Sequence, residues 1–131
     1  MHLNLLRKEA KERVKVELIG KGIGIYRKEL NAEIKFKICG IKECINQPFK
    51  RYQEKVELII SGLEKALIEA EYIGYTEYQT HPKEHIIGYH YFETEIGGIT
   101  AYFNVQLTIQ KKFFLYSITE SINLDSLQKN T

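Results

Sequence analysis

In the stretch FKICGIKECINQPFK, residues 36 to 50, Cys39 and Cys44 bracket the charged pair Lys42 and Glu43. Two thiols so close can hold a metal or cycle through a disulfide. The chain has two cysteines in all, however, too few for a disulfide framework and without the second pair that a four-sulfur zinc site needs. Free cysteine behaves as a small hydrophobe, so both are expected to pack inward and leave Lys42 and Glu43 at the edge of a sheet. The groups best suited to moving a proton near neutral pH are the four histidines. His2 is terminal. His81 and His85 have the H-x-x-x-H spacing of a helical zinc site, but Pro82 lies between them and no H-E-x-x-H pattern is present, so they read as loop residues. His85 then stands at the mouth of a strand, within reach of the sheet, while His90 alternates onto the apolar side of that strand. Ser117 and Thr119 add two hydroxyls on one side of the last strand.

The elements that must position these groups are legible from periodicity. Leu5 to Glu12 suits a short helix, and Val14, Val16 and Leu18 alternate with Lys15 and Glu17 as a half-buried strand does. The following GKGIG has the glycines of a phosphate cradle but lacks the helix that such a loop must open, so it reads as a turn. Ile34, Phe36 and Ile38 predict a strand that ends at Cys39-Gly40, followed by a helical turn that stops before Pro48. From Phe49 to Ala70, Tyr52, Val56, Ile59, Ile60, Leu63, Leu67 and Ala70 make one apolar stripe on a long helix, with Lys55 among the charges opposite. Gly74 and THPKEH mark a break of irregular chain.

Beyond residue 85 the period becomes two. IIGYHYFETEI and ITAYFNVQLTI flank Gly97-Gly98, a pair that suits a primed two-residue hairpin turn, and a second hairpin follows around Gln110-Lys111. This three-strand meander has two unlike faces. Phe92, Ile96, Ala101, Phe103, Val105, Leu107, Phe114, Tyr116 and Ile118 form the side that packs on the long helix. Tyr89, Tyr91, Glu93, Tyr102, Asn104, Gln106, Leu115, Ser117 and Thr119 form the other. On that face Tyr91, Asn104 and Ser117 make one row, and Glu93, Tyr102 and Thr119 the next. Rings, amides and hydroxyls on an open face suit a polymer with phosphates and stackable bases, although a merely solvated antiparallel face has a similar make-up.

At 131 residues, 44% of them hydrophobic and including nine Tyr and six Phe, the chain is expected to form one packed domain. Within it, residues 1–32 form a basic N-terminal part, 33–122 the core and 123–131 a tail. Residues 1–28 carry eight cations against Glu9, Glu12 and Glu17, an imbalance that attracts phosphates or simply solvates a face. The opening MHLNLLRKEAKER has only a brief apolar patch, neither a secretion h-region nor a membrane span, which points to the cytoplasm and to no membrane partner.

The order IKFKICGIKECINQPFK, an amphipathic helix ending in ALIEAEYIG, YHYFETEIGGITAYFNVQL and a last strand FFLYSITESI resembles the barnase/EndoU/colicin/RelE-like nuclease superfamily. It is most similar to the versions carried in large polyvalent proteins of phages and conjugative elements. The resemblance covers about residues 33 to 122 and rests on loose strand and helix patterns. It implies an α+β fold, with N-terminal helices on one side of a roughly four-stranded antiparallel sheet whose other side binds RNA. It also implies a metal-independent ribonuclease with no cofactor, often a toxin, for which a neutralising protein partner is expected. Gly40, Ile41 and Lys42 match the superfamily's turn, Ser117 or Thr119 its last-strand hydroxyl, and Glu43 replaces its turn histidine. Such cleavage needs a base for the 2′-hydroxyl, an acid for the leaving oxygen and a cation or donors for the phosphorane. Glu43, His85 or His90 can supply the first two, Lys42 the cation, and Ser117 and Thr119 orienting hydroxyls; Tyr89, Tyr91, Tyr102, Asn104 and Gln106 would bind substrate. The alternative is a binding module without catalysis that uses the Tyr-rich face for a protein or nucleic-acid partner.

Overall fold

Ala10, Val14 and Leu18 are all wholly buried while Val16 is 47% exposed, a four-residue step that belongs to a helix and not to a strand. The computed structural model, which describes residues 2–77 and 85–128, accordingly continues α1 (His2–Arg13) into a π-helical segment, Val14–Ile19. There the Gly20 N–H donates to the Lys15 carbonyl at 2.9 Å. The expected strand over 14–18 is therefore absent. Val14 and Leu18 satisfy both periods, and packing against the rest of the core selects the helical one.

Among the described residues the sheet has six strands in the order β1-β2-β6-β5-β4-β3, comprising β1 (Ile25–Arg27), β2 (Ala32–Lys35), β3 (Glu71–Glu77), β4 (Ile86–Ile96), β5 (Ile99–Thr108) and β6 (Phe113–Thr119). The class is α+β, as expected. The sheet is larger than four strands and mixed, because β2 runs parallel to β6 while the other neighbours are antiparallel. Strand β3 occupies the stretch around Gly74 that reads as a break in the sequence. A register shift between Tyr72 and Gly74 absorbs the irregularity, and Gly74 adopts φ +138°. The Tyr75 N–H donates to the Gln128 carbonyl, and the Gln128 N–H to the Tyr75 carbonyl, both at 2.8 Å, so the C-terminal segment lies along the outer edge of β3.

Strand β2 stops at Lys35, short of the predicted Cys39-Gly40 end, and both of those residues lie in the first turn of α2 (Ile38–Asn46). The parallel pairing of β2 with β6 lasts for Ile34 with Phe113 and Lys35 with Phe114. Beyond it α2 packs against β6 so closely that a Cβ on Gly40 would stand 2.2 Å from the Leu115 carbonyl oxygen. Of the two cysteines, Cys44 packs inward as expected and burial pushes its thiol up to about 12. Cys39 is exposed, contrary to expectation, because it lies on the outer side of the first turn of α2, whose Gly40 and Ile41 face inward.

The long helix is two, α3 (Tyr52–Ser61) and α4 (Leu63–Glu69), divided at Gly62. Val56, Ile59, Leu63, Leu67 and Ala70 fill the core. Lys55 is wholly buried, not solvated as its place in the charge pattern predicts. Its Nζ donates to the Gln47 carbonyl at 2.8 Å and stands 5.3 Å from the Phe49 ring centre. Burial lowers its ammonium to about 8, with Cys44, Glu120 and Glu43 opposing the shift. At the far side Arg27 of β1 donates to the Leu67 and Ala70 carbonyls at 2.8 and 2.7 Å, pairs with Glu29 and lies 4.6 Å over Phe92, capping the end of α4. No helix of the described residues is long and apolar enough to cross a membrane.

In the meander the first hairpin has the expected register, with Ile96 opposite Ile99, Phe92 opposite Phe103 and Tyr91 opposite Asn104. Gly97 and Gly98 have φ of 60° and 83°, as a type I′ turn requires. The second hairpin slips by one residue. Asn104 faces Ser117 as predicted, but Val105 faces Leu115 and Leu107 faces Phe113, which leaves Tyr116 as an extra residue in a bulge. The bulge puts Phe113 and Leu115 in the core and turns Phe114 and Tyr116 to the opposite face, which reverses the predicted sides of Phe114, Leu115 and Tyr116.

Because the Leu115 carbonyl belongs to a fixed strand, the space over Gly40 cannot open by a side-chain rotation. Gly40→Ala is expected to lower stability by about 1–3 kcal/mol, measured by urea denaturation, with an unchanged m-value.

Candidate functional site

The sheet face turned away from the helices carries three rows across β4, β5 and β6. Glu93, Tyr102 and Thr119 make the first, Tyr91, Asn104 and Ser117 the second, and Tyr89, Gln106 and Phe114 the third. Tyr116 joins the third row from the bulge, its ring centre 5.9 Å from that of Tyr89. The rows are held by side-chain hydrogen bonds. Asn104 Nδ2 donates to Thr119 Oγ1 at 3.0 Å and, at 3.3 Å, to the Ser117 and Tyr102 carbonyls. Thr119 in turn donates to the Ser121 carbonyl at 3.2 Å. Gln106 Nε2 donates to the Tyr89 hydroxyl at 3.4 Å, and the Tyr91 and Thr76 hydroxyls share a bond of 3.0 Å. Phe103 and Val105 are wholly buried on the opposite side, so the division of faces in β5 is as the alternation predicts.

At one end of this face a cavity of ≈ 220 Å³ is lined by Lys37, Cys39, His85, Ile86, Tyr89, Gln106 and Tyr116. Lys37, just before α2, holds its Nζ 3.9 Å from the Phe114 ring centre, a cation on a π-face. The site therefore joins a basic residue, a histidine, a thiol and aromatic rings at the seam between α2 and the sheet. Lys37, Cys39, Phe114 and Tyr116 are not among the residues the sequence marks as functional. In FFLYSI both alternating sets, Phe113 with Leu115 and Phe114 with Tyr116, are apolar enough for a core, so hydropathy carries no sign of the bulge.

The residues predicted to act together are divided among several surroundings. His85 lines the cavity, and Tyr89, Tyr91, Tyr102, Asn104, Gln106, Ser117 and Thr119 share the sheet face. Tyr102, Asn104 and Ser117 are, however, 8%, 7% and 5% exposed, a floor and not a rim. Lys42 is not with them. It lines clefts with Arg7, Lys8 and Lys11 of α1, because the α2 face that carries Gly40 is the one pressed to β6. Glu43 is half-buried and accepts a hydrogen bond from Gln47 Nε2 at 2.7 Å. His90 is on the helix side of β4, as its alternation predicts, and is 8% exposed. Its Nδ1 and the Tyr72 hydroxyl share a 2.8 Å bond, and it packs against Tyr75 and Phe113, where burial lowers its imidazole to about 4. His81 and Pro82 lie outside the described residues.

Compared with families of known proteins, residues 2–113 match the family described as large polyvalent protein-associated domain 3. This agrees with the polyvalent-protein association implied by the sequence resemblance. No curated protein and no solved structure matches the chain.

His90 gives the fold an acid-sensitive point. Its folded pKa lies below the ordinary 6.5, so the folded state binds fewer protons than the unfolded chain between about pH 6.5 and 4. The corresponding stability is complete above pH 6.5 and is lost as pH falls through that window, by on the order of 3 kcal/mol in all. NMR titration is expected to show the His90 ring resonances moving only near pH 4, and His90→Gln to flatten the acid limb of the stability profile.

Proposed function

The chain belongs to the large polyvalent protein-associated domain 3 family, and within that setting we propose that it is a single-stranded RNA-binding module that reads its ligand on the sheet face away from the helices. The observation that carries this reading is the bulge at Tyr116. It gathers Phe114 and Tyr116 beside Tyr89, under Lys37, on the face that already bears Tyr91, Asn104 and Gln106. Rings stack on bases whatever the sequence, while amides and a cation hold the sugar and phosphate edges. Binding is favoured over cleavage because the candidate catalytic groups are dispersed. Lys42 lines the α1 clefts, His90 is sealed on the helix side, and the Thr119 hydroxyl is committed to Ser121.

A second reading, a metal-independent endoribonuclease acting as a toxin or mobile-element effector with a neutralising protein partner, is supported by the cavity at the seam. His85 there can exchange the 2′-hydroxyl proton, and Lys37, in place of Lys42, can offset phosphorane charge.

Two measurements separate these readings. In fluorescence anisotropy with a labelled oligouridylate of about 12 nucleotides, Tyr89→Ala with Tyr116→Ala is expected to weaken binding by about 1–3 kcal/mol for each base no longer stacked; equal affinity for variant and parent overturns the sheet-face reading. Under the second reading the parent cleaves RNA in the presence of EDTA, and His85→Ala lowers the rate by about 10²-fold or more. RNA left intact from pH 5 to 8 removes the nuclease and leaves the binding module.

A further inference from the structure

The two clefts between α1 and α2 are lined by cations that the sheet-face reading does not use. Lys8, Lys11 and Lys15 recur at helical spacing along α1 and its π-helical continuation, and Lys42 meets them from α2. One cleft, of ≈ 210 Å³, is formed by Lys8, Lys11 and Lys42 with Arg7, Ile45 and Asn46; the adjoining one, of ≈ 240 Å³, by Lys11, Lys15 and Lys42 with Ile38 and Glu12. All four lysines are exposed, and none forms an ion pair with a described residue. Among the described residues Glu12 is the one carboxylate that lines either cleft. Arg7 is held in place, with Nε donating to the Tyr52 hydroxyl at 2.9 Å and its guanidinium 5.2 Å over that ring. Four like charges set together with one carboxylate, Glu12, among them repel one another, and a polyanion laid along them relieves that repulsion.

The geometry also links these clefts to the sheet. Cys39, Lys42 and Asn46 stand three and four residues apart on α2, so they form a single exposed ridge. Cys39 lines the aromatic cavity, whereas Lys42 and Asn46 line the cationic cleft. The stripe from Lys8 to Lys15 extends the path by about 10 Å at the helical rise. We propose that the backbone of single-stranded RNA whose bases lie on the sheet face passes over the α2 ridge, and that its phosphates settle along Lys8, Lys11, Lys15 and Lys42. The inference rests on the RNA-binding reading and gives it a direction and a minimum length. An acidic polypeptide has the charge for the clefts, but its side chains would not use the ring-lined cavity at the other end of the ridge.

The test compares labelled oligouridylates of about 4 and about 16 nucleotides on the intact chain at several salt concentrations. The longer oligomer is expected to bind more tightly and with a steeper salt dependence. Lys8→Gln, Lys11→Gln and Lys42→Gln together are expected to lower its log–log salt slope by about 2, at roughly 0.7 for each phosphate no longer neutralised, and to leave the short oligomer's affinity unchanged. All three side chains are exposed, and an unchanged circular dichroism spectrum and melting temperature would exclude a folding defect. If the triple variant keeps the parent's affinity and slope for the long oligomer, the path over α2 is wrong, and the sheet-face reading stands provided that the Tyr89 and Tyr116 variant loses binding. If the tyrosine variant binds normally and the lysine variant does not, the lysines bind phosphates, but the sheet-face reading falls and the path from it over α2 falls with it. If neither oligomer binds the parent, or if polyglutamate displaces the long oligomer as well as unlabelled RNA does, the inference is overturned.

Discussion

The approach of α2 to β6 at Gly40 governs the rest of the molecule. A parallel neighbour such as β2 could have run the length of β6, but the pairing ends after two residues, and the helix takes the place of the missing strand. Strand on strand is set by hydrogen bonds at a spacing of nearly 5 Å; a helix with side chains is far thicker, so it can press on a strand edge only where a side chain is missing. The residue over the Leu115 carbonyl is accordingly a glycine. The placement of the α2 residues follows from that approach. With Gly40 against β6, Cys39 is left beside the cavity, Lys42 is turned toward α1 and Cys44 faces the core.

The second constraint is the bulge at Tyr116. It falls in the strand that α2 packs against, and it changes which face of β6 meets which layer. Without it, Leu115 would stand on the outer face and Tyr116 in the core. With it, the bulky aliphatic side chain fills the interior, where it is wholly buried, and the amphipathic ring, whose hydroxyl favours a wet border, moves out beside Tyr89. The face so formed is richer in rings than strict alternation allows, and Lys37 closes over it from the start of α2.

Much of the architecture is legible in the sequence where one signal dominates. Gly97-Gly98 between two alternating runs gives the first hairpin, and counting from it puts Tyr91, Asn104 and Ser117 in their row. The reading goes astray where two periods coincide or where a neighbour distant in sequence decides. Val14 and Leu18 fit a strand and a helix equally, and only tertiary packing separates them. Lys55 sits in a polar pattern, yet its ammonium is drawn inside by the Gln47 carbonyl at the end of α2, a partner no local rule reveals. Tyr72, Ile73, Tyr75 and Thr76 are strand formers, but Gly74 interrupts them, and the register shift that absorbs it is visible only in the pairing with β4. The candidate site is less legible than the fold for a related reason. The polar and aromatic residues are identifiable by type, but which of them meet depends on a one-residue slip in β6 and on the direction in which α2 leaves β2.

The pairing of Tyr75 with Gln128 has a bearing on how this protein meets other molecules. An uncovered strand margin is sticky, since its free amides and carbonyls invite another chain to add itself, and repetition of that step builds fibres. Here the terminal segment occupies part of the β3 margin, held close because Gly74 has no side chain to fend off the Gln128 carbonyl, and the opposite margin is the three-residue β1. Both flanks are thus poor templates for growth, so a crowded assembly of many linked domains could carry this one without its sheets fusing edge to edge.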